Sequence, residues 1–294
     1  MSTLTPADRA GLDGGRAALL VTALVDDAAV FPPGLAPLDR AVRAHRARRL
    51  ADTGFLMGPF LAPVSALGGV LDVLDAEPTS EPLDLVLVAD TGLVAAAEAR
   101  AILLDDDRVE LAGLEVALPA EGTLAQAARL TLDTLDFALP AAIEIPRTLG
   151  WQDALAVIGR DGAERAKFRT GGATPSAHPT ESELAEVLVT CVRLGVAFKL
   201  TAGLHRALRH TAADGAEQHG FINVLAATAA ALDARETAQV AALLAERDPE
   251  PLLAVLADAD PHAVRRRFTS FGSCSIDEPV ADLVALGLIE AESS

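Results

Sequence analysis

Lysine is almost missing from this chain: of its 24 lysines and arginines only two, Lys167 and Lys199, are lysines. Tyrosine is absent and aromatic residues make up 3 % of the sequence, which removes the stacking platform on which single-stranded nucleic acids are held. Basic charge is also outnumbered. A net charge of −18 opposes contact with a phosphate backbone and favours solubility, so nucleic acid is not an expected partner. The two cysteines, Cys191 and Cys274, have neither metal nor disulfide spacing and suit a reducing compartment. Long apolar runs are missing too: "ALLVTALV" at 18–25 stops far short of the roughly 18–20 residues a spanning helix needs, so no membrane association is expected. The opening "MSTLTPADRAGLDGG" does not read as a signal peptide, and the expected location is cytoplasmic.

What is present is ample material for a core: 294 residues, 51 % of them hydrophobic, arranged as short apolar runs that alternate with longer Ala/Leu/Arg stretches of helical period. Strands are expected at 18–25, 54–62, 84–89, 110–117, 138–145, 165–169, 196–201 and 267–272. Helices are expected at 38–50, 64–75, 93–104, 123–134, 151–159, 180–194, 220–247 with a break near Asp233, and 278–288. Strands alternating with helices pair in parallel, and eight such units close into a (β/α)8 TIM barrel, here spanning 1–294 as one domain. The alternative, an open doubly wound sheet, lacks its glycine-rich fingerprint, because "VTALVDDAAVFPPG" stands where that turn would be. The segment 205–219, "HRALRHTAADGAEQH", reads as a long exposed loop after the seventh strand.

The working face of such a barrel is formed by the carboxyl ends of its strands, and unusual polar residues collect there. Strand four offers Glu115, strand five Glu144, strand six Lys167 and Arg169, and strand seven Lys199 and Thr201. Residues two apart share a face, so Lys167 points with Arg169 and Lys199 with Thr201, while Ala166, Phe168, Phe198 and Leu200 face the helices. A GC-rich coding bias would explain why lysine is rare. It does not explain why both survivors sit in apolar runs followed by glycine, since lysines belong on solvated surfaces. A lysine, unlike an arginine, can lose its proton and attack a carbonyl. The same charges could instead neutralise one another as an internal structural network.

The turns that follow these strands are rich in small residues. "TGGATP" contains Thr170, Gly171 and Gly172; "TAGLH" contains Gly203 and His205; "SFGSCS" contains Ser273 and Ser275. Such turns can present backbone N–H groups to an anion, and barrels commonly bind phosphate on the loops after strands seven and eight. With Arg169, Lys199, His205 and Arg206 they predict a small anionic substrate, phosphorylated or carboxylated. Asp26 and Asp27 lie at the end of strand one, where they could bind a hydroxyl or a metal or cap the next segment. His205, His210 and His219 fall at spacings that match no standard ligand pair, so no metal or other cofactor is expected; a site built from Glu115, Glu144 and a histidine is the alternative. Cys274 reads chiefly as a small buried residue.

Two lysines on strands six and seven, in "KFRTGGAT" and "FKLTAGLHR", resemble the arrangement in class I aldolases of the deoxyribose-phosphate aldolase type. The likeness covers about forty residues. It implies a Schiff base on Lys167, a proton-tuning role for Lys199, and a lyase or isomerase acting on a carbonyl compound. Arg169 stands where that family has a small residue. The wider pattern "KFRTGG … KLTAGLH … HGFINV … SFGSCSIDEP" also resembles an uncharacterised bacterial family of predicted barrels. In this reading Arg169 and Lys199 depress the pKa of Lys167, Glu115 or Glu144 moves protons, and Thr170, Thr201, the glycine turns and Arg206 hold the anionic group. A homo-oligomer is compatible with the sequence.

Overall fold

A computed structural model describes residues 5–77, 81–135, 139–160, 164–174, 177–213 and 215–291. Its strands are β1 (Val25–Asp27), β2 (Met57–Pro63), β3 (Leu83–Val88), β4 (Val109–Ala117), β5 (Ala141–Glu144), β6 (Arg165–Arg169), β7 (Phe198–Thr201), β8 (His210–Thr211), β9 (Glu217–Gln218) and β10 (Phe268–Ser273). Its helices are α1 (Pro6–Ala10), α2 (Gly14–Val21), α3 (Leu38–Arg49), α4 (Leu67–Ala76), α5 (Leu93–Leu103), α6 (Leu124–Thr134), α7 (Trp151–Ile158), α8 (Glu181–Leu194), α9 (Phe221–Leu232), α10 (Thr237–Ala245), α11 (Pro249–Asp258), α12 (Pro261–Arg267) and α13 (Asp277–Leu286). Eight strands close in the order β1-β10-β7-β6-β5-β4-β3-β2, and each barrel pair is parallel. The chain is a (β/α)8 TIM barrel. Among the described residues no helix is long and apolar enough to cross a membrane.

The expected elements at 54–62, 84–89, 110–117, 165–169, 196–201 and 267–272 lie within a few residues of barrel strands. The fifth strand begins at Ala141; residue 138, its expected start, lies outside the described residues. Strand one needs correction. "GGRAALLV" is helix α2, started by Asp13, whose side chain accepts from the backbone N–H of Arg16, and it buries Ala17, Leu20 and Val21 on one face. That spacing of three and four is a helical stripe; the strand itself is only Val25–Asp27, wholly buried.

Strand β4 is irregular. Leu85 aligns with Leu111 but Val86 aligns with Gly113, so β4 carries one extra residue, a β-bulge that changes which side chains face inward. Ala112 joins the small interior cluster of Ala28, Leu61 and Val86. Glu115, three residues later, also points inward and is buried.

The expected break near Asp233 separates α9 from α10. Every residue of α9 from Phe221 to Ala231 is buried, a pattern that fits a helix surrounded on all sides rather than an amphipathic one. The segment 205–219 is less open than expected: it contains the β8–β9 hairpin, and Ala207 and His219 are buried. Asp214, inside it, lies outside the described residues. "HGFINV" explains the anchoring. His219 Nε2 donates to the Pro179 carbonyl at 2.8 Å. Asn223 accepts from the Arg209 N–H at 2.9 Å and donates to the carbonyls of Leu243 and Glu246 at 2.8 and 2.7 Å. Gly220 lies so close to the backbone of Ala207 and Leu208 that no Cβ fits.

Replacing Asn223 with Ala strands one N–H and two carbonyls that Asn223 now pairs. The expected outcome is a loss of about 3 kcal/mol in urea denaturation, since leaving buried polar groups unpaired costs about 1–3 kcal/mol each. A loss below about 0.5 kcal/mol, the usual range for surface substitutions, would refute the anchoring role.

Candidate active site

Register brings the charges together. Glu144 on β5 aligns with Lys167 on β6, which aligns in turn with Lys199 on β7, and all sit on the inward face. Two ammonium groups side by side repel, and Glu115 resolves this from β4 by giving one oxygen to each. Its Oε2 lies 2.7 Å from Lys167 Nζ, and its Oε1 accepts from Lys199 Nζ. Lys167 Nζ also meets Glu144 Oε2 at 2.9 Å, and Lys199 Nζ donates to Asp26 Oδ2, which accepts from Ser270 Oγ at 2.7 Å as well. Arg169 Nη1 reaches the other oxygen of Glu144 at 3.5 Å. The result is a chain of alternating sign, Asp26–Lys199–Glu115–Lys167–Glu144–Arg169, with no net charge.

Burial alone would push the Glu115 carboxyl up, but the ammonium groups of Lys199 and Lys167 outweigh it and hold the pKa at about 2, against an ordinary 4.5. For Lys167 burial disfavours the charged form, yet Glu115 and Glu144 raise its pKa above the ordinary lysine value. Lys199 behaves alike, with Asp26 and Glu115 as its partners. This corrects the expectation of a depressed Lys167: its nearest neighbours are carboxylates, and Arg169 is turned to Glu144.

The chain separates two cavities. The carboxyl-end cavity, about 250 Å³, has Lys167, Glu115 and Glu144 on its lining together with Arg169, Thr201, Ala202 and His205. Its remaining lining is Ala28, Phe31, Pro32, Pro33, Leu61, Val88, Gly272 and Cys274. The amino-end cavity, about 210 Å³, is lined by Asp26, Lys199, Ser270, Arg165, Thr269 and Glu115 among others. Glu115 is the single residue common to both linings. Lys199 therefore faces away from the carboxyl-end cavity and acts on it through Glu115.

Several expected anion-binding residues are engaged elsewhere. Thr170 Oγ1 donates to the carbonyls of Thr201 and Ala202. Gly171 and Gly203 lie back to back, a Cβ on Gly171 falling 2.9 Å from the Cα of Gly203, and Gly203 has φ +83°. These glycines allow the loops after β6 and β7 to touch. Gly172 turns its carbonyl to His178 Nε2 at 2.9 Å; Pro175, at the end of that turn, lies outside the described residues. Arg206 forms a two-pronged pair with Asp282 at 2.9 and 2.8 Å. Ser273 Oγ donates to the Ser275 carbonyl at 2.6 Å, and the Ser275 N–H returns to it at 3.3 Å. None of Thr170, Gly171, Gly172, Gly203, Arg206, Ser273 or Ser275 is on the cavity lining.

The histidines of the long loop point to different partners. His205 Nδ1 is 3.3 Å from Glu278 Oε2 and 3.9 Å from Cys274 Sγ, His210 Nδ1 donates to the Leu208 carbonyl at 3.2 Å, and His219 is tied to Pro179. Among the described residues no group of three or more His, Cys, Asp and Glu side chains is placed to hold a metal; Glu115 and Glu144 are turned to lysines. Burial, with help from Glu278, pushes the Cys274 thiol up, which disfavours the thiolate a nucleophile needs. Asp27 accepts from His45 Nδ1 at 3.1 Å, both buried. Sequence reasoning did not assign Asp26 to the lysines or the apolar wall to the cavity. An acid embedded in "ALVDDAAV" was the signal for Asp26; the wall residues carry none that distinguishes them from core.

Glu115→Gln removes the charge between two buried ammonium groups, and a loss of about 3–5 kcal/mol is expected, as for breaking a buried ion pair. In the native protein Glu115 binds its proton less tightly folded than unfolded. Its contribution is thus complete above pH 4.5 and lost as pH falls toward about 2. Lys167 and Lys199 bind theirs more tightly folded, so their contribution holds below pH 10.5 and declines at higher pH. Urea denaturation from acid to alkaline pH should show both limbs, the acid limb shallower in Glu115→Gln; identical acid limbs would overturn this account. Comparison with protein-family models, with curated proteins and with solved structures finds no match to this chain.

Proposed function

We propose that this barrel is an enzyme, a lyase or isomerase, that acts on a small anionic carbonyl compound through Lys167. The observation that carries the reading is the position of the Lys167 amine. It lies on the lining of the carboxyl-end cavity between Glu115 and Glu144, where barrel enzymes hold their substrates. Two carboxylates take two of its three N–H groups, which leaves one for a substrate oxygen.

Attack on the carbonyl requires the free amine. Glu144, at 2.9 Å, is placed to take the proton. The nitrogen lone pair then bonds to the carbonyl carbon, the C=O π pair moves to oxygen, and protons from Glu144 and from the nitrogen leave with that oxygen as water. Ammonium and carbonyl become iminium and water with charge conserved. The iminium accepts the electron pair released when an adjacent C–C or C–H bond breaks, which is the step common to lyases and isomerases of this chemistry. Arg169, on the same lining, supplies the positive charge for the anionic group, with His205 beside it as a hydrogen-bonding side chain.

The raised proton affinity of Lys167 favours a second reading, in which it donates a proton to the substrate oxygen and forms no covalent bond. Borohydride reduction with a panel of small aldehydes, 2-oxo acids and sugar phosphates, followed by peptide mass spectrometry, separates the two. With two lysines and the N-terminal amine as the only amines, a reduced adduct on Lys167 that disappears in Lys167→Arg is the expected result. Turnover of a substrate identified independently, without any adduct, would establish the non-covalent role.

A further inference from the structure

We propose that the substrate is a small aliphatic 2-oxo acid, an inference that rests on the carbonyl reading of Lys167. The lining of the carboxyl-end cavity is divided in two. Strands β4 to β7 and the loop after β7 contribute its charged and polar groups. Strands β2 and β3 and the segment after β1 contribute Ala28, Phe31, Pro32, Pro33, Leu61 and Val88. A polyhydroxylated sugar phosphate would press hydroxyls against that wall without partners, and an unpaired buried hydroxyl is costly. An alkyl chain fits it at no such cost.

The charged half is built for a carboxylate adjacent to a carbonyl. Glu144 shows the spacing: one carboxylate touches Lys167 Nζ with one oxygen and Arg169 Nη1 with the other, at 2.9 and 3.5 Å. The carbonyl and carboxylate oxygens of a 2-oxo acid are separated by a single C–C bond and can meet the same two cations. Arg169 is only loosely held by Glu144 and its side chain is 48 % exposed, whereas Arg206 is occupied by Asp282 through both prongs. A guanidinium fork matches a carboxylate in two-pronged fashion. The features that would hold a phosphate are engaged in the loops themselves: Ser273 with Ser275, Gly171 against Gly203. The cavity, about 250 Å³, falls below the 300–1,000 Å³ common for drug-sized ligands, which restricts the chain to a few carbons.

The test is titration calorimetry with 4-methyl-2-oxopentanoate, pyruvate and glyceraldehyde 3-phosphate, run beside borohydride trapping on the full chain and on Arg169→Ala and Arg169→Lys. Melting curves first establish that both variants fold. The branched oxo acid should bind about tenfold or more tightly than the phosphorylated aldehyde, and more tightly than pyruvate. Arg169→Ala should weaken it at least tenfold, as expected for loss of a charge-assisted pair, with partial recovery in Arg169→Lys. Tighter binding of glyceraldehyde 3-phosphate, or unchanged binding in Arg169→Ala, overturns the proposal. An adduct with the phosphorylated aldehyde but not the oxo acids overturns this substrate class and leaves the imine reading intact. Arg169-dependent binding of the oxo acid without an adduct overturns the imine and keeps the substrate class. Absence of both binding and adduct for every probe overturns both.

Discussion

Asp26, Lys199, Glu115 and Lys167 are buried inside this barrel as one ion chain, and that interior is possible only because their signs alternate. Each charge taken from water costs several kcal/mol, which close partners of opposite sign offset. Alternation in turn demands that β1, β4, β5, β6 and β7 keep a fixed register, since a slip of one residue turns every inward charge toward the helices. The bulge in β4 belongs to the same constraint: it lets Glu115 face inward two residues after Gly113 while Ala112 also fills the interior. Lysine suits the two central positions because a compact ammonium can sit between carboxylates of different strands, whereas a planar guanidinium is wider and forked.

A buried ion chain is poor at stabilising a fold compared with well-packed apolar residues, so its presence asks for another explanation. Its carboxyl end supplies one. Lys167 and Glu144 open onto a cavity with Arg169 and His205, and under the proposed function the proton affinities set by the buried partners are used there. Shared barrel architecture does not by itself speak for any activity; the proposed function rests instead on which charges reach the cavity and which remain behind them.

Much of this was legible in the sequence. Polar residues two apart in "AKFRT" and "FKLTA" could face only one way on a strand, and β6 and β7 place them so. Strand one was not legible as a strand, because Ala17, Leu20 and Val21 fit both an apolar run and a helical stripe, and the Asp13 cap decides for helix. The small-residue turns misled in another manner. Composition cannot tell a glycine that exposes its N–H from one that lets two loops touch, and Gly171 and Gly203 do the latter. Arg206 likewise carries no sign in sequence that Asp282, far along the chain, takes both its prongs. The sign of the Lys167 shift depended on distances to Glu115 and Glu144, which spacing within one strand does not contain.

Glu115 is also the partition between the two cavities, one carboxylate thick. In barrels of this type the amino-terminal mouth usually belongs to stability and the opposite mouth to chemistry. Here one ion chain crosses from one mouth to the other. Asp26, Ser270 and Lys199 line the amino mouth, and Lys199 shares the Glu115 carboxylate with Lys167. A substitution that removes charge at the far mouth therefore changes the field at the Lys167 amine. The two mouths of the barrel, separate as cavities, are thus joined electrostatically by a single shared side chain.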